Sequence, residues 1–251
     1  MFKALLARAR QGYRTANYPA HDPSLPALFR GRPVLDPEKC VDGCARCVEI
    51  CPTDALQVSA TGPELDLGRC IFCGECAASC PGNAISFTQD WRLAASERPG
   101  LLVTGDRPVH IDAASRELRR LLGRSLRLRQ ISAGGCNGCE VEINALGNVV
   151  FDSSRFGIEF VASPRHADGV LVTGPLTANM KEATLQTYQA VGEPKLVIAA
   201  GACAISGGLF RSHPEVCDGI EGLFLVDLYV PGCPPHPYTI LDGLLRLLSR
   251  H

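Results

Sequence analysis

Cysteine spacing is the strongest chemical signal in this chain. Of thirteen cysteines, four lie from Cys40 to Cys51, four from Cys70 to Cys80, and the rest at Cys136, Cys139, Cys203, Cys217 and Cys233. The run Cys70-x2-Cys73-x2-Cys76-x3-Cys80-Pro81 has the bacterial ferredoxin spacing for a cubane [4Fe–4S] cluster. Three cysteines two residues apart wrap a loop around three corners, and small neighbours let backbone amides point at the sulfides. The fourth, followed by proline, turns away to ligate the other cluster. This logic assigns Cys70, Cys73, Cys76 and Cys51 to one cluster, and Cys40, Cys44, Cys47 and Cys80 to another. Such clustering, with no secretory signal visible, favours metal over disulfides. Zinc ribbons take two ligands from each of two loops, against four per run here.

The first run departs from the pattern, because Cys40-Val41-Asp42-Gly43-Cys44 carries one residue too many. Alone, that spacing is the one used by radical S-adenosylmethionine enzymes, which expects a barrel-sized domain and an open iron. Here Cys51-Pro52 and a second run follow at once, so the extra residue reads as a small bulge. Further on, GGCNGCE puts Cys136 and Cys139 in a tight loop, GACAISGG offers Cys203, and VPGCPP offers Cys233. Each is embedded in Gly or Pro, which permit close approach to a bulky ligand. Cys217, in HPEVCDG, lacks that setting and reads as a plain buried cysteine.

The elements that must position these groups fall into a simple order. Residues 1–10 read as a short amphipathic helix, either packed on its own domain or serving as a foot on a membrane or membrane subunit. A Pro-rich strap follows to residue 38. Residues 39–90 hold an internal repeat, CARCVEICPTDALQV against CGECAASCPGNAISF. A unit this small buries little apolar area, so something else must hold it together. Residues 91–124 form a connector with a helix expected from Asp112, with Leu118, Leu121 and Leu122 on one face and four arginines on a solvated one. From 125 to 251, SLRLRQIS, GVLVTGP, KLVIAAG and FLVDLYVPG read as strands, with helices at 177–191 and YTILDGLLRLLSR. Near-continuous apolar strands alternating with helices argue for a parallel, doubly wound sheet. Sites in such sheets form at the carboxyl ends of strands. Cys136, Cys139, Cys203 and Cys233 all follow strands in that way.

Residues 125–251 resemble the small subunit of the energy-converting (group 4) nickel–iron hydrogenases, and more distantly the proximal-cluster subunit of respiratory complex I. The resemblance is carried by GGCNGCEVEINAL, RFGIEFVASPRHAD, GACAISGG and VDLYVPGCPP. It implies that Cys136, Cys139, Cys203 and Cys233 hold a third, proximal [4Fe–4S] cluster beside a catalytic large subunit. Complex I subunits carry two adjacent cysteines in the first loop; Cys-Asn-Gly-Cys here favours the hydrogenase branch. Residues 1–90 are similar to the two-cluster ferredoxin subunit of the same enzymes, including the YP…FRGRP strap. The implied fold is an α+β bacterial ferredoxin-like domain followed by an α/β flavodoxin-like domain with a parallel sheet. The implied function is an electron-transfer subunit of a membrane-associated hydrogenase, with the nickel–iron centre on a partner chain. The same relay in a related oxidoreductase lacking nickel, ending at a quinone or sulfur compound, is the alternative. Membrane subunits of the same complex and an electron donor or acceptor protein are the other expected partners. Glu140 and Glu142 read as helix N-terminal carboxylates favoured by the dipole rather than proton relays, and His166 and His236 as structural.

The net charge of −1 gives no pointer to nucleic acid. The longest uncharged stretch, Leu196 to Phe210, is broken by glycines and falls short of the roughly 18 residues a spanning helix needs. The expected location is the cytoplasmic side of the cell membrane, held peripherally.

Overall fold

The computed structural model describes residues 2–59, 62–106, 108–114, 116–122 and 125–250, with backbone alone at 116 and 117. In chain order its elements are α1 (Phe2–Gln11), β1 (Pro33–Leu35), α2 (Arg46–Glu49), β2 (Leu56–Ser59), β3 (Gly62–Asp66), α3 (Glu75–Ser79), β4 (Ile85–Phe87), β5 (Leu102–Thr104), α4 (Arg116–Leu121), β6 (Leu126–Ser132), α5 (Gly138–Ala145), β7 (Ile158–Phe160), β8 (Gly169–Thr173), α6 (Ala178–Gln189), β9 (Leu196–Ala200), α7 (Ala202–Ser206), β10 (Leu228–Val230) and α8 (Pro237–Leu247).

The internal repeat folds as two matching halves. In each, a one-turn helix carries the third cysteine of its run, and a Cys-Pro leads into a short strand: α2 into β2, α3 into β4. Asp54 and Asn83 occupy equivalent left-handed positions, φ 49° and 50°, which these two residue types tolerate best among non-glycines. β1 pairs antiparallel with β4, and β2, β3 and β5 form a second antiparallel sheet. Two strands outside residues 39–90 thus complete the sheets of the repeat: β1 from the strap and β5 from the connector.

The second half carries a five-stranded parallel sheet in the order β10-β9-β8-β6-β7. Counting β6 to β10 as first to fifth, the order is 2-1-3-4-5. β8 and β9 are buried at every residue, as central strands covered on both faces must be. That explains why GVLVT and LVIAA show no polar alternation. β7 is a three-residue edge strand that the sequence pattern does not separate from its loop.

One apolar cluster runs through both halves. Leu35, Leu65 and Leu67 of the repeat belong to the same buried group as Val170, Val172 and Ile205 of the parallel-sheet unit. Each such side chain taken from water stabilises by about 1.5–3 kcal/mol, so the small repeat borrows a core from its neighbour. The opposite face of the sheet is covered by α8, with Leu241, Leu244 and Leu245 against Leu171 and Ile198. The strap joins this second cluster: the Tyr18 hydroxyl donates to Asp242 (3.0 Å) and its ring packs edge-on to Trp91.

One of the two readings of α1 is set aside, and two expectations, the connector helix and Cys217, are corrected. α1 buries no residue, so it does not pack on its own domain; Phe2 is 78% exposed and Leu5 62%. The connector helix starts at Arg116 rather than after Asp112, because Ala114 is tied to Leu247 of α8 and the Asp112 amide bonds Ser96. Leu118 and Leu122 face inward while Leu121 is exposed, and Arg119 is tied to Ser249 rather than merely solvated. Arg124, among the arginines expected on a solvated face, lies outside the described residues. Cys217 is exposed, not buried, because it sits on a surface loop anchored by its amide to Leu176.

Candidate iron–sulfur sites

Two small cavities lie in the repeat, and each is lined by four cysteines. One is lined by Cys40, Cys44, Cys47 and Cys80; the other by Cys51, Cys70, Cys73 and Cys76. The crossing of Cys51 and Cys80 between runs arises from the fold: each Cys-Pro ends its one-turn helix and carries the thiol over to the other loop. Both crossing thiols accept equivalent backbone hydrogen bonds, Ala55 N–H to Cys51 Sγ and Ala84 N–H to Cys80 Sγ, each 3.2 Å. Phe72 N–H similarly donates to Cys70 Sγ at 3.3 Å. The extra residue of the first run closes a turn, with the Cys44 amide on the Val41 carbonyl (3.0 Å) and Gly43 at φ 71°. Glycine takes this left-handed corner at no steric cost, and a Cβ there would meet nothing within 4 Å.

The third group assembles at the carboxyl ends of the parallel strands. Cys136 and Cys139 follow β6, Cys203 stands in α7 directly after β9, and Cys233 follows β10. The four thiols interact: Cys139 is raised by burial first and then by Cys203, Glu140, Cys233 and Cys136. Gly201 makes this possible, since a Cβ there would fall 2.6 Å from Cys139 Sγ. Cys136 and Cys233 are exposed while Cys139 and Cys203 are partly covered, so the group opens on one side.

Electrostatics indicate what these cavities suit. Burial pushes the Cys70 thiol up to about 12 and Cys76 to about 11; Cys139 is pushed up to about 12 and Cys203 to about 11, with neighbouring thiols adding to the rise. Four closely spaced thiolates are therefore unfavourable by themselves and require a cationic core to offset them. Among the described residues no three His, Cys, Asp or Glu side chains converge as ligands of one ion. The eight cysteines of the repeat line two volumes instead, which is the demand of a core whose irons sit at the corners of a cube. The residues fit iron–sulfur clusters.

The three groups lie in sequence. α2 packs on α3, and Cys47 influences Cys76. Ile71 and Phe72, between Cys70 and Cys73, share with Cys233 the wall of a cavity of about 260 Å³. Ser206 in α7 donates to the Gly68 carbonyl at 2.9 Å. Sequence reasoning missed Ser206 and Gly68, because a contact across 138 residues leaves no local pattern. It also missed Arg30, whose Nη1 lies 3.4 Å from the Phe72 carbonyl beside Gly74.

The other flagged residues are structural or peripheral. Glu140 Oε1 accepts from Ser132 (2.6 Å) and Thr173 (2.7 Å). Burial works to raise its carboxyl, but these hydroxyls outweigh it and hold it below the ordinary range. Glu142 is partly buried in the Cys233 cavity, and burial raises its carboxyl. His236 caps α8 through Tyr238 N–H and stacks on that ring; His166 is exposed in a turn.

Comparison with known proteins finds two families, one in each half of the chain. Residues 136–247 match the family described as NADH ubiquinone oxidoreductase, 20 Kd subunit, and residues 26–85 match the 4Fe-4S dicluster domain. The chain is 41% identical to a probable membrane-bound hydrogenase subunit of Pyrococcus furiosus, over 53% of this chain and 80% of that one. It is 43% identical to formate hydrogenlyase subunit 7 of Escherichia coli, over 53% of this chain and 52% of the relative. It is also 43% identical to an NADH-quinone oxidoreductase subunit of Heliobacterium modesticaldum, over 47% of this chain and 68% of the relative. The chain belongs to this family of hydrogenase and NADH-ubiquinone oxidoreductase 20 kDa subunits, and carries a 4Fe-4S dicluster domain ahead of it on the same polypeptide.

Proposed function

We propose that this chain holds three [4Fe–4S] clusters in a row and serves a hydrogenase-type large subunit. It is an electron-carrying subunit of an oxidoreductase, as its relatives are. The proposed ligands are Cys40, Cys44, Cys47 and Cys80 for the outer cluster, Cys51, Cys70, Cys73 and Cys76 for the middle one, and Cys136, Cys139, Cys203 and Cys233 for the proximal one. Bound clusters supply one-electron carriers at these three places. The chain's own part is to fix their order, supply amides to the sulfurs and keep water from the inner faces. The observation that carries the reading is two cavities each lined by four cysteines, with a further four thiols close enough to influence one another.

The two units are read as bacterial ferredoxin-like and flavodoxin-like, the latter from its 2-1-3-4-5 strand order. The division into 1–38, 39–90, 91–124 and 125–251 is kept, with β1 and β5 added to the ferredoxin unit. The open side of the proximal group, with Cys136 and Cys233 exposed, is where the large subunit would sit. Nickel binding is assigned to that partner, since twelve cysteines are committed here. Cys-Asn-Gly-Cys supports the hydrogenase branch; similarity to the NADH-quinone oxidoreductase subunit keeps a nickel-free, quinone- or sulfur-linked complex as the second reading. Among the described residues no helix is long and apolar enough to cross a membrane. Attachment is therefore read as peripheral, on the cytoplasmic side, through membrane subunits of the complex.

Anaerobically purified protein should contain about twelve irons with matching labile sulfide. Cys233→Ser should remove the proximal cluster alone. Zinc without sulfide, or a Cys233→Ser protein with all its iron, would overturn the assignment. A copurifying large subunit with two C-x-x-C pairs and nickel decides between the two terminal chemistries.

A further inference from the structure

We infer that α1 is an in-plane anchor that lies on a bilayer of anionic lipid, its apolar face among the acyl chains and its basic residues at the headgroups. This deepens the peripheral attachment proposed above by naming the element and its occupant. Among the described residues nothing covers the helix: every residue from Phe2 to Gln11 is exposed. A ten-residue helix without tertiary packing is marginal in water, so its stabilisation must come from outside the chain.

The arrangement of side chains identifies that partner. At about 100° per residue, Phe2, Leu5, Leu6 and Ala9 fall on one narrow face. Lys3 and Arg10 flank this face on one side and Arg8 on the other, while Ala4, Ala7 and Gln11 lie opposite. Long cations on both borders of an apolar stripe suit a planar, two-phase boundary, where the stems cover apolar surface and the charges reach the headgroups. A groove on a folded protein would instead wrap the apolar stripe and desolvate these borders. Charge points the same way. Lys3, Arg8, Arg10 and Arg14 precede the first acid, Asp22, in a chain whose net charge is −1. Residues 1–21 thus carry basic side chains and no acidic one, which complements an anionic surface. Tyr13, 81% exposed with the Arg8 guanidinium over its ring, adds an aromatic of the type that settles at such boundaries. The root is fixed by the Ala16 amide on the Val150 carbonyl (2.9 Å), so the helix is tethered by only a few residues to the unit carrying the proximal group.

The test is co-sedimentation of the whole, cluster-loaded chain with phosphatidylglycerol–phosphatidylcholine vesicles, against pure phosphatidylcholine. Binding is expected to the anionic vesicles, with affinity falling as salt rises. Replacing Arg8 and Arg10 by Gln should weaken it about fivefold per residue, and Leu5→Glu with Leu6→Glu should abolish it. Iron content and cluster spectra should be the same in all variants; a loss of iron in the unaltered chain would strike at the relay reading and not at this one. The inference is overturned if the unaltered chain ignores anionic vesicles, or if the double-Glu variant binds them as well as the unaltered chain. It is equally overturned if α1 proves necessary only for retaining a protein subunit of the purified complex, without vesicle binding.

Discussion

Ser206 Oγ donates to the carbonyl of Gly68 at 2.9 Å, in a contact buried from solvent. Ser206 stands three residues beyond Cys203, and Gly68 two before Cys70, so a single hydrogen bond ties the loop of the middle group to that of the proximal one. The Gly68 backbone is also pressed against Ile205, whose Cγ2 would lie 2.7 Å from a Cβ there. Ser206→Ala leaves a buried carbonyl without its partner and should cost about 1–3 kcal/mol of stability. Urea unfolding of the anaerobic protein checks the loss. Weakened magnetic coupling between the proposed middle and proximal clusters, read by electron paramagnetic resonance, checks that the two loops have moved apart.

Gly201 admits Cys139 to the proximal group. A methyl at this position would meet the sulfur at 2.6 Å, on a backbone held at φ 93°. Gly201→Ala should therefore lose about four irons while the ferredoxin unit keeps its eight. Gly192→Ala, where a methyl meets nothing within 4 Å, should keep full iron content.

The crossed fourth ligands give a sharper test than any count. Cys80 lines the cavity of the first run, and Cys51 that of the second. Cys80→Ser should thus impair the cluster of Cys40, Cys44 and Cys47, and Cys51→Ser that of Cys70, Cys73 and Cys76. Potentiometric titration distinguishes them, because the two clusters differ in burial and in the turn at Gly43. The same component lost in both variants would contradict the crossing.

Thiol reactivity should separate Cys217 from the other twelve. It is exposed and belongs to none of the three groups. In the loaded protein it should be the one cysteine alkylated, since thiolates bound to iron are protected. After iron is chelated, Cys70 and Cys139, with burial pushing both thiols up to about 12, should react slowest at neutral pH. Their rates should rise with pH as the thiolate fraction grows. Peptide mapping of the alkylated chain reads each site.

The strap depends on Tyr18. Its hydroxyl donates to Asp242, which also accepts from Arg246 at 2.9 Å. Tyr18→Phe removes a donor to a buried carboxylate and should cost about 1–3 kcal/mol. Limited proteolysis within residues 19–30 should accelerate, with iron content unchanged.

What was legible in the sequence was whatever the local pattern repeats or sustains. The duplicated cysteine runs pointed to two groups, and Cys51 and Cys80 line each other's cavities, because cysteines packed so closely along the chain constrain a loop almost completely. Apolar runs as long as LVIAA declared central strands without help. β7 was hidden because three residues carry no period, and the start of α4 because the tie of Ala114 to Leu247 forms between segments far apart in sequence. Cys217 was misjudged since cysteine is usually buried, and nothing nearby in sequence shows that residues 211–218 loop outward. The third cysteine group needed family resemblance to be recognised, because its members arrive on three different strands and only the sheet brings them together.

The apolar cluster that unites Leu35, Leu65 and Leu67 with Val170, Val172 and Ile205 has a bearing on modularity. The two cysteine-bearing halves are here sealed into a single oil drop. Severing the polypeptide between them would not release two soluble proteins but two surfaces in need of each other. Recombination could trade such a unit only by carrying both halves together, so the fused arrangement, once established, is inherited whole.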